Sequence, residues 1–152
     1  MTPEPPAAGP AQAPLVMHAS AVAVEGRGLL VMGASGRGKS ALALELMAMG
    51  ADLVADDRTE LWPSPDGAGV VLRCPAPIAG MIEARGVGLL QAACVAEARA
   101  VLAVDLDVTE TERLPPFRQI RLLGHVLPLV HGSAARHFPS ALLHYLRAGR
   151  VA

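Results

Sequence analysis

Cysteine is scarce in this sequence: Cys74 and Cys94 are the only two. They lack CxxC spacing and lie in apolar surroundings, which argues against a disulfide or a cysteine metal pair and for reduced thiols. That suits a cytoplasmic protein. A surplus of charge of one sign is also missing. The formal net charge is -1, which speaks against a general binder of nucleic acid or of anionic membranes. No apolar run reaches the roughly 18 residues of a membrane span. The N-terminus has neither the basic nor the apolar block of a signal peptide, so export is not expected. What is present is a chain of 152 residues, 52% hydrophobic and 18% charged. Those figures suit one globular domain with a real core.

Residues 1–14 hold Pro3, Pro5, Pro6, Pro10 and Pro14 and almost no apolar bulk, so a disordered tail is expected there. A single domain over 15–152 follows. The apolar run from Leu15 to Val24, with His18 on it, Glu25-Gly26-Arg27-Gly28, and then Leu29 to Met32 read as a strand, a turn and a buried strand, a predicted hairpin. Ala41 to Met49, closed by Gly50, is rich in strong helix formers. Short strands are expected over 52–55, 58–62 and 70–74, the last two as a hairpin about Pro63 to Gly67. Pro75-Ala76-Pro77 marks a break before the glycine-bearing segment 78–90. A strand over 101–106, a polar loop over 109–116, strands within 118–130 and a closing helix over 133–148 complete the pattern. Ser133 is the candidate cap of that helix, and Phe138, Leu142, Leu143 and Leu146 its apolar face. The predicted class is α/β with a mixed, partly antiparallel sheet.

Between the second strand and the first helix stands Gly33-Ala34-Ser35-Gly36-Arg37-Gly38-Lys39-Ser40. It fits the phosphate-loop spacing G-x-x-x-x-G-K-[ST] at every fixed position. The glycines let successive backbone N–H groups face one concavity at a helix N-terminus, Lys39 supplies a point charge for the outer phosphates, and the Ser40 hydroxyl suits Mg²⁺. Phosphoryl transfer needs in addition a group to hold the metal, a proton acceptor and positive charge for the transition state. Asp56 and Asp57 close the strand after the helix, where a carboxylate can face a metal or a γ-phosphate; the bland alternative is a solvated acidic turn. Glu83 is a second candidate Mg²⁺ ligand, or else a surface ion partner of Arg85. His18 is either an active-site partner or a structural histidine. His125, His131, His137 and His144 have no ligand spacing. Arg113 lies in a loop from which it could swing toward developing charge, with Arg118 and Arg121 as rivals.

Taken in order, these features resemble the catalytic domain of HPr kinase/phosphorylase, the bacterial enzyme that phosphorylates a serine of the phosphocarrier HPr. His18 ahead of the loop, GASGRGKS itself, and Leu53-Val54-Ala55-Asp56-Asp57-Arg58 match that family's pattern. Glu83-Ala84-Arg85-Gly86-Val87-Gly88 resembles its signature E-x-R-G-x-G, in which Glu83, Arg85, Gly86 and Gly88 are the fixed positions. The resemblance implies a phosphate-loop kinase fold related to phosphoenolpyruvate carboxykinase, with Gly33 to Ser40 on the ATP phosphates and Ser40 and Glu83 holding Mg²⁺. Asp57 would be the general base, His18 its neighbour, and Arg113 the transition-state arginine. The implied partner is HPr or an HPr-like phosphocarrier. Assembly into a hexamer, common in the family, is permitted. A kinase of a small metabolite and a nucleotide-gated binding module are the alternative readings.

Two departures from the family pattern stand out. Its longer members carry an extra N-terminal domain for which the 14-residue tail leaves no room, so the sequence is similar to the short form and regulation through that domain is not expected. Longer members also carry P-V-R-P-G-R, tied to dephosphorylation, where this chain reads Pro128-Leu129-Val130-His131-Gly132-Ser133. Both arginines are missing, and an attacking phosphate needs cations to hold it beside a phosphoserine. Phosphate-dependent release of pyrophosphate from phospho-HPr is therefore expected to be far slower than kinase turnover. Equal rates in the two directions would refute this expectation.

Overall fold

The computed structural model describes residues 13–152. The expected disordered tail, apart from Ala13 and Pro14, lies outside the described residues.

The predicted hairpin is formed by β2 (Ala19–Val24) and β3 (Arg27–Met32), which pair antiparallel from Val24–Arg27 to Ala19–Met32. Its turn is only two residues, Glu25 and Gly26, with φ of 52° and 78°. Positive φ at both positions is what the tight twisted hairpin turn requires. The expected single strand from Leu15 to Val24 is broken, however. β1 (Leu15–Met17) ends at a bend on His18, because β1 pairs with β5 (Thr59–Pro63) whereas β2 pairs with β3 and β4 (Asp52–Ala55). His18 thus sits between strands rather than on one.

Alternation along the hairpin sends Ala21, Ala23, Leu30 and Met32 to one face of the sheet and Val22, Val24, Leu29 and Val31 to the other. Both faces are covered, which is why these strands read as continuous apolar runs. On one side, α1 (Lys39–Ala48) contributes Leu42, Ala43 and Leu46, and α2 (Phe138–Ala148) contributes Leu142, Leu143 and Leu146. On the other, Leu61, Leu72, Leu122 and Leu127 pack over the small residues Ala19, Ala98 and Ala103.

The strand predicted over 101–106 is much longer: β9 runs Glu97–Thr109. One edge of β9 is parallel to β3. Its other edge is antiparallel to β6 (Val70–Arg73) near Glu97 and parallel to β11 (His125–Gly132) from Ala103 onward. With β10 (Arg118–Leu122) antiparallel to β11, the nine-stranded sheet runs β1-β5-β6-β9-β3-β2-β4, with β11 and β10 branching from β9. The mixed sheet is as expected. The segment 78–90 resolves into a separate two-stranded hairpin, β7 (Met81–Ala84) and β8 (Gly88–Gln91), after a 3-10 turn at Ala76–Ile78. It is tied to β4 just beyond β8, where the Leu53 N–H donates to Ala93 O at 3.1 Å and the Val95 N–H to Leu53 O at 2.9 Å.

The closing helix starts at Phe138, not Ser133, and has no side-chain cap. The Ser133 hydroxyl instead accepts the Ala135 N–H at 3.0 Å, a local turn that competes with helix. No helix among the described residues is long and apolar enough to cross a membrane.

Leu102, fully buried on β9 against the helices, tests the core. Leu102→Ala is expected to destabilise the fold by about 2–5 kcal/mol. An unchanged urea midpoint in that variant would be incompatible with this packing.

Candidate functional site

Met32 of β3, Asp105 of β9 and His131 of β11 stand in register across three parallel strands. Ligand sites in such sheets lie beyond the carboxyl ends of the strands. There the chain leaves β3 as the glycine loop and enters α1 at Lys39, with Gly38 as the capping position. Gly36 and Gly38 have φ of 86° and 95°, and a Cβ at either would meet nothing within 4 Å. Backbone conformation, not crowding, therefore demands glycine. The start of α1 has no side-chain cap and no acidic residue in its first turn, so its N–H groups and dipole are available to an anion. Lys39 is buried, and its Nζ donates to Gly33 O at 2.8 Å and Ala34 O at 3.3 Å.

Beside the loop lies a cleft of about 600 Å³, lined among others by Lys39, Ser40, Asp56, Asp57, Glu83 and Arg85. Asp56, buried at the end of β4, organises it. Its Oδ1 accepts the Ser20 hydroxyl at 2.9 Å and the Ser40 hydroxyl at 2.6 Å, and its Oδ2 accepts the Glu83 N–H at 3.0 Å. Three of the roughly four lone-pair sites of the carboxylate are thus used. Since Ser40 gives its proton to Asp56, its oxygen lone pairs remain for a cation. Asp57 is exposed to the cleft, has φ of 66°, and donates its N–H to Ser20 Oγ at 3.1 Å. The hairpin tip at the rim carries Arg85 and Val87, the latter 76% exposed, and Leu89 on β8 is 67% exposed.

Of the predicted loop residues, Ser35, Gly36, Gly38, Lys39 and Ser40 line the cleft, whereas Gly33, Ala34 and Arg37 do not. The outer side of the loop is held by Asp107. The Ala34 N–H donates to its two oxygens at 2.9 and 3.2 Å, and Arg37 Nε stands 3.3 Å from Oδ1. The sequence reading missed Asp107, although a carboxylate just past an apolar strand was a usable signal. It also missed Ser20, whose only signal is a hydroxyl within the apolar run Ala19–Val24.

His18 is exposed and is not among the lining residues. The register that pairs Met17 with Thr59 carries it past Arg58, and the Asp57 N–H is taken by Ser20. Arg113 sits on an exposed loop outside the cleft and forms no ion pair among the described residues. Its rivals are committed elsewhere: Arg118 binds Glu110 through two 3.0 Å bonds, and Arg121 donates to Gly124 O at 3.2 Å. His131 stands 3.8 Å from the same Glu110. Of the two free cysteines, Cys74 is half-buried, and burial pushes its thiol up; Cys94 is exposed.

The Arg118 fork, helped by the N–H groups of Glu112 and Thr111, holds the Glu110 carboxyl at about 2. A carboxylate depressed in the folded state stabilises it above the ordinary carboxylate range, and that contribution disappears as protons bind. Stability is therefore expected to fall as pH drops from about 4.5 toward about 2. Urea titrations across this window should show a shallower loss in Glu110→Gln, and identical slopes would rule the pair out as a contributor.

A family model described as HPr Serine kinase C-terminal domain matches residues 12–107. Among curated relatives, an HPr kinase/phosphorylase of Aromatoleum aromaticum is 37% identical over 136 residues, covering 76% of this chain and 42% of that protein. One of Bordetella pertussis is 47% identical over 74 residues, 49% of this chain and 24% of the relative. The chain thus spans less than half the length of these relatives. In shape, it matches a solved Hpr(Ser) kinase/phosphatase from Coxiella burnetii with a TM-score of 0.73, at 23% identity and over 88% of each chain.

Proposed function

The chain belongs to the HPr serine kinase C-terminal domain family, and on that footing we propose that it is an ATP- and Mg²⁺-dependent protein serine kinase acting on HPr or an HPr-like phosphocarrier. The observation that carries this reading is the convergence of Lys39, Ser40, Asp57 and Glu83 on one cleft at an uncapped helix start. Gly33 to Ser40 would be the phosphate loop. The donor set suits a hard cation: the Ser40 oxygen, its proton given to Asp56, and the exposed Glu83 carboxylate are oxygen ligands. Bound there, Mg²⁺ would offset charge on the β- and γ-phosphates. Asp56 would act behind Ser40, orienting it, rather than as a principal ligand.

In the forward reaction Lys39 would exchange the Gly33 and Ala34 carbonyls for the outer phosphates. Asp57 would take the proton of the acceptor serine as its oxygen attacks the γ-phosphate, and loop N–H groups would hold the departing diphosphate. Arg113 could meet the transition-state charge only if its loop moved toward the cleft. The exposed Val87 at the rim and Leu89 on the neighbouring strand favour a protein acceptor over a small metabolite, which would call for enclosing walls.

Labelled ATP, Mg²⁺ and a phosphocarrier, incubated with the purified chain, test the proposal. Label is expected on a serine of the carrier, and Asp57→Asn is expected to keep nucleotide binding while losing about 10²- to 10⁴-fold in turnover. Label on metabolites alone would mark a metabolite kinase. ATP-dependent carrier binding without transfer would mark a binding module.

A further inference from the structure

We propose that Ser20 is a positioning residue that sets the aim of Asp57, an inference that rests on the reading of Asp57 as the base. Ser20 is fully buried on β2, and its neighbours on the strand are Ala19, Ala21, Val22, Ala23 and Val24. Packing alone gives no reason for a hydroxyl there. A buried hydroxyl costs free energy unless it is paired, and alanine already serves at three positions of the same strand.

What the hydroxyl does is visible in its partners. It has one proton to give and can accept in return. The proton goes to Asp56 Oδ1 at 2.9 Å and the oxygen accepts the Asp57 N–H at 3.1 Å. One atom therefore ties the carboxylate of the first aspartate to the backbone of the second.

That backbone is the unusual one. Asp57 has φ of 66°, a region uncommon outside glycine, though aspartate tolerates it better than most residues. Two bonds supply the hold: the Ser20 contact and a tight turn in which the Arg58 N–H donates to Asp56 O at 2.8 Å. A bulge on β4 prepares the geometry. Ala21 pairs with Ala55 and Val22 with Leu53, leaving Val54 as the extra residue. Such a bulge re-aims the strand end, here bringing Asp56 and Asp57 over Ser20. Without the hydroxyl the Asp57 N–H has no such partner, the turn can relax to ordinary φ, and the carboxylate leaves the line of the acceptor oxygen.

The effect should fall on turnover rather than on nucleotide binding. Ser20→Ala is expected to lower kcat by about ten- to a hundredfold, the scale of a displacement near 1 Å, with KM for ATP changed by less than about twofold. Ser20→Thr, which keeps the hydroxyl, should recover most of the activity. In an Asp57→Ala background, adding Ser20→Ala should cost much less than in the wild type, the remainder being the lost bond to Asp56. Amide hydrogen exchange at Asp57 should accelerate in Ser20→Ala, and this readout needs no turnover. If Ser20→Ala fails to fold, Ser20→Cys, similar in shape but a weak hydrogen bonder, takes its place in every arm. Unchanged kcat, or an undiminished loss on top of Asp57→Ala, would overturn the proposal, as would unaltered exchange at Asp57. A wild-type chain that phosphorylates no carrier, yet shows the exchange change, would remove the kinase reading and leave the hold of Ser20 on Asp57 intact.

Discussion

The Asp56 carboxylate gathers a hydroxyl from β2, a hydroxyl from α1 and a backbone N–H from β7, three elements that already pack together through Val22, Leu42 and Ile82. Each bond is charge-assisted, and Asp56 itself is only 8% exposed, although the cleft beside it is open. Bonds to an ion in such surroundings are stronger than neutral ones, and losing one leaves a buried group unpaired at a cost of about 1–3 kcal/mol. The carboxylate thereby fixes the distance between the glycine loop and the β7–β8 hairpin, which is the width of the cleft.

The scaffold around this point is a sheet with both faces covered. Valines and leucines on the helix side, and alanines on the other, let the start of β2 and the carboxyl-ward parts of β3 and β9 meet beneath the loop. Asp107 then braces the loop from the side away from the cleft. The Gly33–Ala34 peptide is held from both directions, its carbonyl by Lys39 and its N–H by Asp107. Loop position therefore depends on β9 as much as on β3.

Features set by neighbours in the chain were legible in the sequence. The β2–β3 hairpin, the helix after the glycine loop and the strand that leads into Asp56-Asp57 depend on local patterns, and each forms where the residues imply. Features set by distant partners were not. Ser20 meets Asp56 across 36 positions and Asp107 meets Ala34 across 73, and neither pairing leaves a periodic trace. The His18 bend arises because β1 and β2 choose different partner strands, a competition no local propensity records. At α2 the sequence was misread locally: Ser133 has the chemistry of a cap, but its hydroxyl closes a turn of its own. Arg113 is singled out by the family resemblance alone, which does not place its side chain at the cleft.

β9 joins segments far apart in the chain: its partners lie in 27–32, 70–73 and 125–132. Closing loops of that length exacts an entropic cost before any contact compensates it, so topologies of this kind fold slowly. The β2–β3 and β10–β11 hairpins can form on their own within microseconds, but neither can find its place until β9 threads between them. Met32 and Asp105 come into register only at that step, and the mouth of the glycine loop with them. The nascent chain is thus expected to acquire its cleft near the end of folding, after most of β9 has been made, so that assembling the core and assembling the site are a single event.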